Sequence, residues 1–72
     1  MVNVNKLRGK VVELGFSIES LAELVDIDRS TMYRKLSGKG EGFTIKEADK
    51  VCKALNLSKE DAVAIFFTQY VA

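Results

Sequence analysis

Apolar residues recur along this chain at intervals of three and four, the period of a helix face and not of a strand. Val4, Leu7, Val11 and Leu14 predict a first helix, ended by Gly15. Ser17 stands where a cap belongs, before Ile18, Leu21, Ala22 and Val25, whose offsets predict a short second helix. Asp26, Ile27 and Asp28 make a tight connection, and the Asp28 carboxylate is placed to cap the next helix. Met32 and Leu36 are the inward anchors of that third helix, about 29–37, which Gly38 stops. The glycines of "GKGEGF" predict a linker, because they lack the spacing of a Walker loop and no strand precedes them. Thr44 and Glu47 then form a T-x-x-E capping box, with Phe43 and Ala48 placed to staple across it. Ala48, Val51, Cys52 and Leu55 line a fourth helix, and Ser58 caps a fifth whose stripe is Ala62, Ile65, Phe66, Gln69 and Tyr70.

The fifth segment has more apolar surface than one face requires, since Val63, Phe67 and Val71 lie beside or opposite its stripe. Its tail, "IFFTQYV", is aromatic and β-branched enough to suit a strand as well. Two readings stay open for it: a terminal helix wrapped by its neighbours, or a self-association surface built on Phe67, Tyr70 and Val71. The pattern as a whole predicts an all-α, five-helix unit. With 72 residues and 47% hydrophobic content, residues 1–72 are expected to form a single folded domain. No apolar run is long enough to span a bilayer, and a lone cysteine suits a reducing compartment, so a soluble cytoplasmic protein with no membrane partner is expected.

Catalysis finds little support in the residue types. Without histidine there is no His-based triad, no His general base and no His-ligated metal site. Zinc would need thiolates or imidazoles that the chain lacks. The paired carboxylates, Asp26 with Asp28 and Glu60 with Asp61, sit at expected helix starts, where acids favour the helix dipole. Cys52 reads as a small core residue and not a reactive thiol. No enzyme activity, cofactor, metal or small-molecule substrate is expected.

The net charge is only +1, yet it is unevenly spread: Glu19, Glu23, Asp26 and Asp28 are followed by Arg29, Arg34, Lys35 and Lys39 with no acid between. Two short helices joined by a tight turn can cross steeply and leave the second protruding, which suits the major groove of DNA. With Met32 and Leu36 inward, Arg29, Ser30, Tyr33 and Arg34 fall on the outer side, with Lys35 and Ser37 flanking. Arginine can pair bidentately with guanine, and short hydroxyls allow close approach to bases or phosphates.

The stretch "SIESLAELVDIDRSTMYRKLSG" resembles the helix-turn-helix of the Cro and repressor (XRE-like) family, through Leu21 and Ala22, Ile27, and Thr31 with Met32. "FTIKEADKVCKALNLSKEDAVAIFF" is similar to the trailing helices of small phage and prophage members. The resemblance covers nearly the whole chain and implies a lambda-repressor-like fold, with helices 2 and 3 as the helix-turn-helix. It implies base reading by Arg29, Ser30 and Arg34, with Tyr33 as an addition. Asp28 and Thr31 take cap positions near the DNA backbone, and Lys35, Lys39 and one of Lys10 or Lys46 are expected to meet phosphate. Asp26 stands where the family usually has a left-handed glycine, and Lys35 where an apolar residue is common.

The function implied is a sequence-specific regulator of phage or prophage switch type that binds a double-stranded operator, usually as a homodimer. A second reading keeps the shape but makes the partner a repressor protein, in the manner of phage anti-repressors. Near-neutral charge and the acids beside the third helix favour it, and Arg29, Tyr33 and Arg34 would then be protein hot spots.

Overall fold

The computed structural model describes residues 2–37 and 42–67 and is all-α. Its elements are α1 (Val4–Glu13), α2 (Ile18–Leu24), α3 (Arg29–Leu36), α4 (Ile45–Leu55) and α5 (Lys59–Phe66). The caps agree closely with the sequence. Asn3, Ser17, Asp28, Thr44 and Ser58 each accept a backbone N–H at the start of α1 to α5 in turn, a bond whose loss typically costs about 1 kcal/mol. Thr44 and Glu47 close the expected capping box, and Ser17 with Ser20 closes a second one at α2.

Three of the four connections use one device. After α1, α2 and α4 the chain turns left-handed at Gly15 (φ 81°), Asp26 (φ 57°) and Asn56 (φ 50°). At each, the left-handed residue and its successor donate back to carbonyls of the last turn: Gly15 to Val12 and Phe16 to Val11, Asp26 to Glu23 and Ile27 to Ala22, Asn56 to Lys53 and Leu57 to Cys52. This is the Schellman arrangement, which satisfies the orphan carbonyls of a helix end. The successor is apolar each time, and Phe16, Ile27 and Leu57 all pack against the core. The next residue is the N-cap of the next helix: Ser17, Asp28, Ser58. The tripeptides GFS, DID and NLS therefore each stop one helix, anchor the bend and start another. Aspartate and asparagine visit the left-handed region more readily than other residues with a side chain, so Asp26 and Asn56 serve where glycine would be the cheapest choice.

Leu7, Val11, Leu21, Ala22, Val25, Met32, Leu36, Val51, Leu55, Ile65 and Phe66 form the buried cluster. All of these are inward positions of the helical pattern, and Val4, Ile18, Ala48 and Cys52 pack half-buried against them. Leu14, expected inward, is 43% exposed. The helix has ended before it, and Phe16, carried inward by the bend at Gly15, packs against the core instead. The segment that also suited a strand is helical through Phe66, and Phe67 lies exposed just beyond α5. Gln69, Tyr70 and Val71 lie outside the described residues. Cys52 is half-buried in the core, and burial pushes its thiol up, away from thiolate chemistry at neutral pH.

Polar contacts join the α1 region to α5. The Asn3 N–H donates to the Ile65 carbonyl at 2.7 Å. Lys10 of α1 reaches Asp61 of α5 at 3.0 Å, with Lys6 at 3.8 Å from the same carboxylate. The bond from Lys10 holds the Asp61 carboxyl below its ordinary range, and the Thr44 backbone N–H, with Lys35 behind it, does the same for Glu47. Groups depressed in the folded state stabilise it above the unfolded carboxylate values of about 4, and that contribution disappears as pH falls through the lower folded values. Urea midpoints should therefore be lower at about pH 2.5 than at about pH 7. Asp61→Asn should be less stable than the parent at neutral pH and should show a smaller drop on acidification. An equal drop in both would remove Asp61 from the acid-sensitive set.

Candidate nucleic-acid interface

The α2–turn–α3 unit places one helix with its outer side to solvent. Between α2 and α3 lie Val25, Asp26, Ile27 and Asp28, bent by the left-handed Asp26 and anchored by the half-buried Ile27. The Asp28 carboxylate then accepts the N–H groups of Ser30 at 3.0 Å and Thr31 at 3.4 Å, so its charge lies against the positive end of α3. Met32, Lys35 and Leu36 are buried, which fixes the rotation of the helix. Arg29, Ser30, Tyr33 and Arg34 consequently stand exposed on the opposite side. Among the described residues neither Arg29 nor Arg34 forms an ion pair.

One contact ties α2 to the outer side of α3. The Tyr33 hydroxyl donates to the Glu19 carboxylate. This bond depresses the Glu19 carboxyl, with Arg29 adding to the effect, and raises the Tyr33 phenol against the opposing pull of Arg8 and Arg29. At neutral pH the phenol keeps its proton and the carboxylate lacks one.

Residues 6–66 match the family model of the Cro/C1-type HTH DNA-binding domain. The chain belongs to this family. No curated protein and no solved structure matches it. The Cro/C1-type domain is a DNA-binding, typically non-enzymatic module of transcription regulation, and the five-helix order with a helix-turn-helix at α2 and α3 agrees with it. Among the described residues no helix is long and apolar enough to cross a membrane, and no three potential ligand side chains are grouped for a metal.

Within this Cro/C1-type domain, the expected site residues separate. Arg29, Ser30, Tyr33 and Arg34 stand together on the exposed side of α3. Thr31 is half-buried beside the Asp28 cap. Lys35, expected at phosphate, is a correction: its side chain is 4% exposed, and its ammonium donates to the Gly42 carbonyl at 3.0 Å and pairs with Glu47 at 3.2 Å. The same ammonium lies 5.7 Å from the centre of the Phe43 ring, which in turn packs edge-on against Phe66. Position 35 shares the inward side with Met32 and Leu36, so the lysine stem runs along the core while its charge is met by partners. Lys10 is likewise engaged elsewhere, by Asp61 and Glu13. Lys46 is exposed at the start of α4. Lys39, Tyr70 and Val71 lie outside the described residues, so of the self-association trio only Phe67 is described, 45% exposed. Sequence reasoning did not find the role of Glu19. Its signal is weak, because Glu19 meets Tyr33 across a helix boundary and does not belong to its helical period.

Proposed function

We propose that the chain is a sequence-specific transcriptional regulator of phage or prophage switch type, which lays α3 in the major groove of an operator. The observation that carries this reading is the outer side of α3. There Arg29, Ser30 and Arg34 are exposed with neither arginine in an ion pair among the described residues, on a helix whose rotation is set by Met32 and Leu36. Guanidinium groups so placed can fork onto guanine, and Ser30 can approach bases or phosphates closely. Asp28, masked by two backbone N–H groups, and Thr31 hold the start of α3 near the DNA backbone, and Lys39 is assigned to phosphate. Residues 1–72 act as one cytoplasmic domain. Two copies bind a two-fold-related site with their α3 helices about 34 Å apart, joined through Phe67, Tyr70 and Val71.

The second reading, a partner repressor protein as target, draws on Glu19, whose carboxylate lies on the α3 face and would meet phosphate unfavourably. Selection of duplexes from a random pool by the purified protein, at low and near-physiological salt, separates the two. Enrichment of a two-fold-related motif, weakened by salt, is the expected result. No enrichment at either salt, from protein shown to be folded, would overturn direct DNA recognition and direct the search to a repressor partner.

A further inference from the structure

A phenol has one hydrogen to donate, and in this structure Tyr33 gives it to Glu19. What remains on the tyrosine oxygen is acceptor capacity, and an ionised carboxylate is acceptor only. The pair therefore offers nothing to a group that needs a donor. Phosphate oxygens are such groups, and the carboxylate repels them as well. In the major groove, guanine N7 and O6, adenine N7 and thymine O4 are acceptors too. The donors there are the exocyclic amines, N6 of adenine and N4 of cytosine.

We propose that Tyr33 and Glu19 together act as an acceptor-only reader, selecting adenine or cytosine at one position of the bound duplex. This rests on the reading above, that α3 enters the major groove. The geometry suits the role in three respects. Tyr33 is on the exposed side of α3, 42% accessible, and the pair is bridged from a different helix, so the hydroxyl is oriented by α2 and not by its own turn. The hydrogen bond from Tyr33, with the positive charge of Arg29 four residues earlier on α3, keeps the carboxylate ionised. Arg29 also offsets part of the charge that would otherwise drive the pair from DNA. Glu19 is thus a positioning residue: it fixes which way the tyrosine hydroxyl points and so which bases Tyr33 accepts.

The experiment is a parallel selection from random duplexes with the unmodified chain, Tyr33→Phe and Glu19→Ala, each checked for an unchanged melting profile. Both positions lie outside the core, and the selected motif is an internal record of folding at all other positions. The position read by Tyr33 is the one whose preference Tyr33→Phe abolishes. There one strand should carry adenine or cytosine in preference to guanine or thymine, so that each pair is favoured over its reverse by about five- to tenfold, the worth of one hydrogen bond. Glu19→Ala frees the hydroxyl to rotate and donate, so guanine and thymine become acceptable and the preference should fall below about twofold, with the rest of the motif intact. A position that accepts adenine together with guanine or with thymine on the same strand, no position altered by Tyr33→Phe, or an undiminished preference in Glu19→Ala would each overturn the inference while leaving DNA recognition in place. Failure of the unmodified chain to select any motif is a separate result, which removes the proposed function and this inference with it.

Discussion

Arg34→Ala is expected to lower affinity for the selected duplex by roughly 5- to 150-fold, equivalent to about 1–3 kcal/mol, and to leave the melting temperature unchanged. The stability half comes from position: the Arg34 side chain is exposed on α3 and forms no ion pair among the described residues, so its removal opens no cavity and orphans no partner. The affinity half depends on what the guanidinium meets. If it forks onto guanine, the loss falls on one position of the motif and other sequences are bound nearly as before. If it meets phosphate, binding weakens uniformly across sequences and the salt slope drops by about one. Arg34→Lys separates these outcomes, since lysine keeps the charge and loses the fork. Retained salt slope with lost guanine preference is expected of the lysine variant. Titration of the selected duplex and a scrambled one, at two salt concentrations, is sufficient to read both. Equal binding of parent and Arg34→Ala would remove Arg34 from the base-reading set.

The helices were legible because their apolar spacing and their caps point the same way. Ser17, Asp28, Thr44 and Ser58 all accept the N–H groups that their sequence positions imply. Asp26, standing where a left-handed residue is needed, is left-handed. What the period does not resolve is the side chain at the margin of a face. Met32 and Leu36 fix the inward direction of α3, but Lys35 lies next to it, and its charge suggests solvent. The deciding facts, Glu47 of α4 and the Gly42 carbonyl, come from beyond the loop and are visible only in three dimensions. Leu14 failed for a related reason, because a helical period says which face a residue would take but not whether the helix still runs there. The Tyr33–Glu19 contact escaped because it depends on how α2 and α3 cross, a property of packing.

Lys35 and Glu47 should show an asymmetry that a surface pair would not. Glu47→Ala is expected to destabilise the fold by about 2–4 kcal/mol, whereas Lys35→Met should cost about 1 kcal/mol or less. Removing Glu47 leaves an ammonium whose side chain is 4% exposed with, among the described residues, the Gly42 carbonyl as its remaining hydrogen-bond partner. It also breaks the reciprocal cap, in which Glu47 accepts the Thr44 N–H at 2.8 Å. The opposite change is milder. Glu47 is 25% exposed, so its carboxylate can turn to water while still capping α4, and a methionine can fill the lysine stem against Met32 and Leu36 without a charge to satisfy. In the double variant, Lys35→Met with Glu47→Ala, no ammonium is left buried. It should therefore be more stable than Glu47→Ala alone, although both carry the same lost cap. For a chain of this size each kcal/mol moves the midpoint by about 4–8 °C, so thermal melts resolve the series. Two single variants of equal cost, or a double variant that simply adds their losses, would mean that the ammonium is well hydrated in solution. In that case Lys35 would again be available to phosphate, and its assignment away from the DNA face would fall.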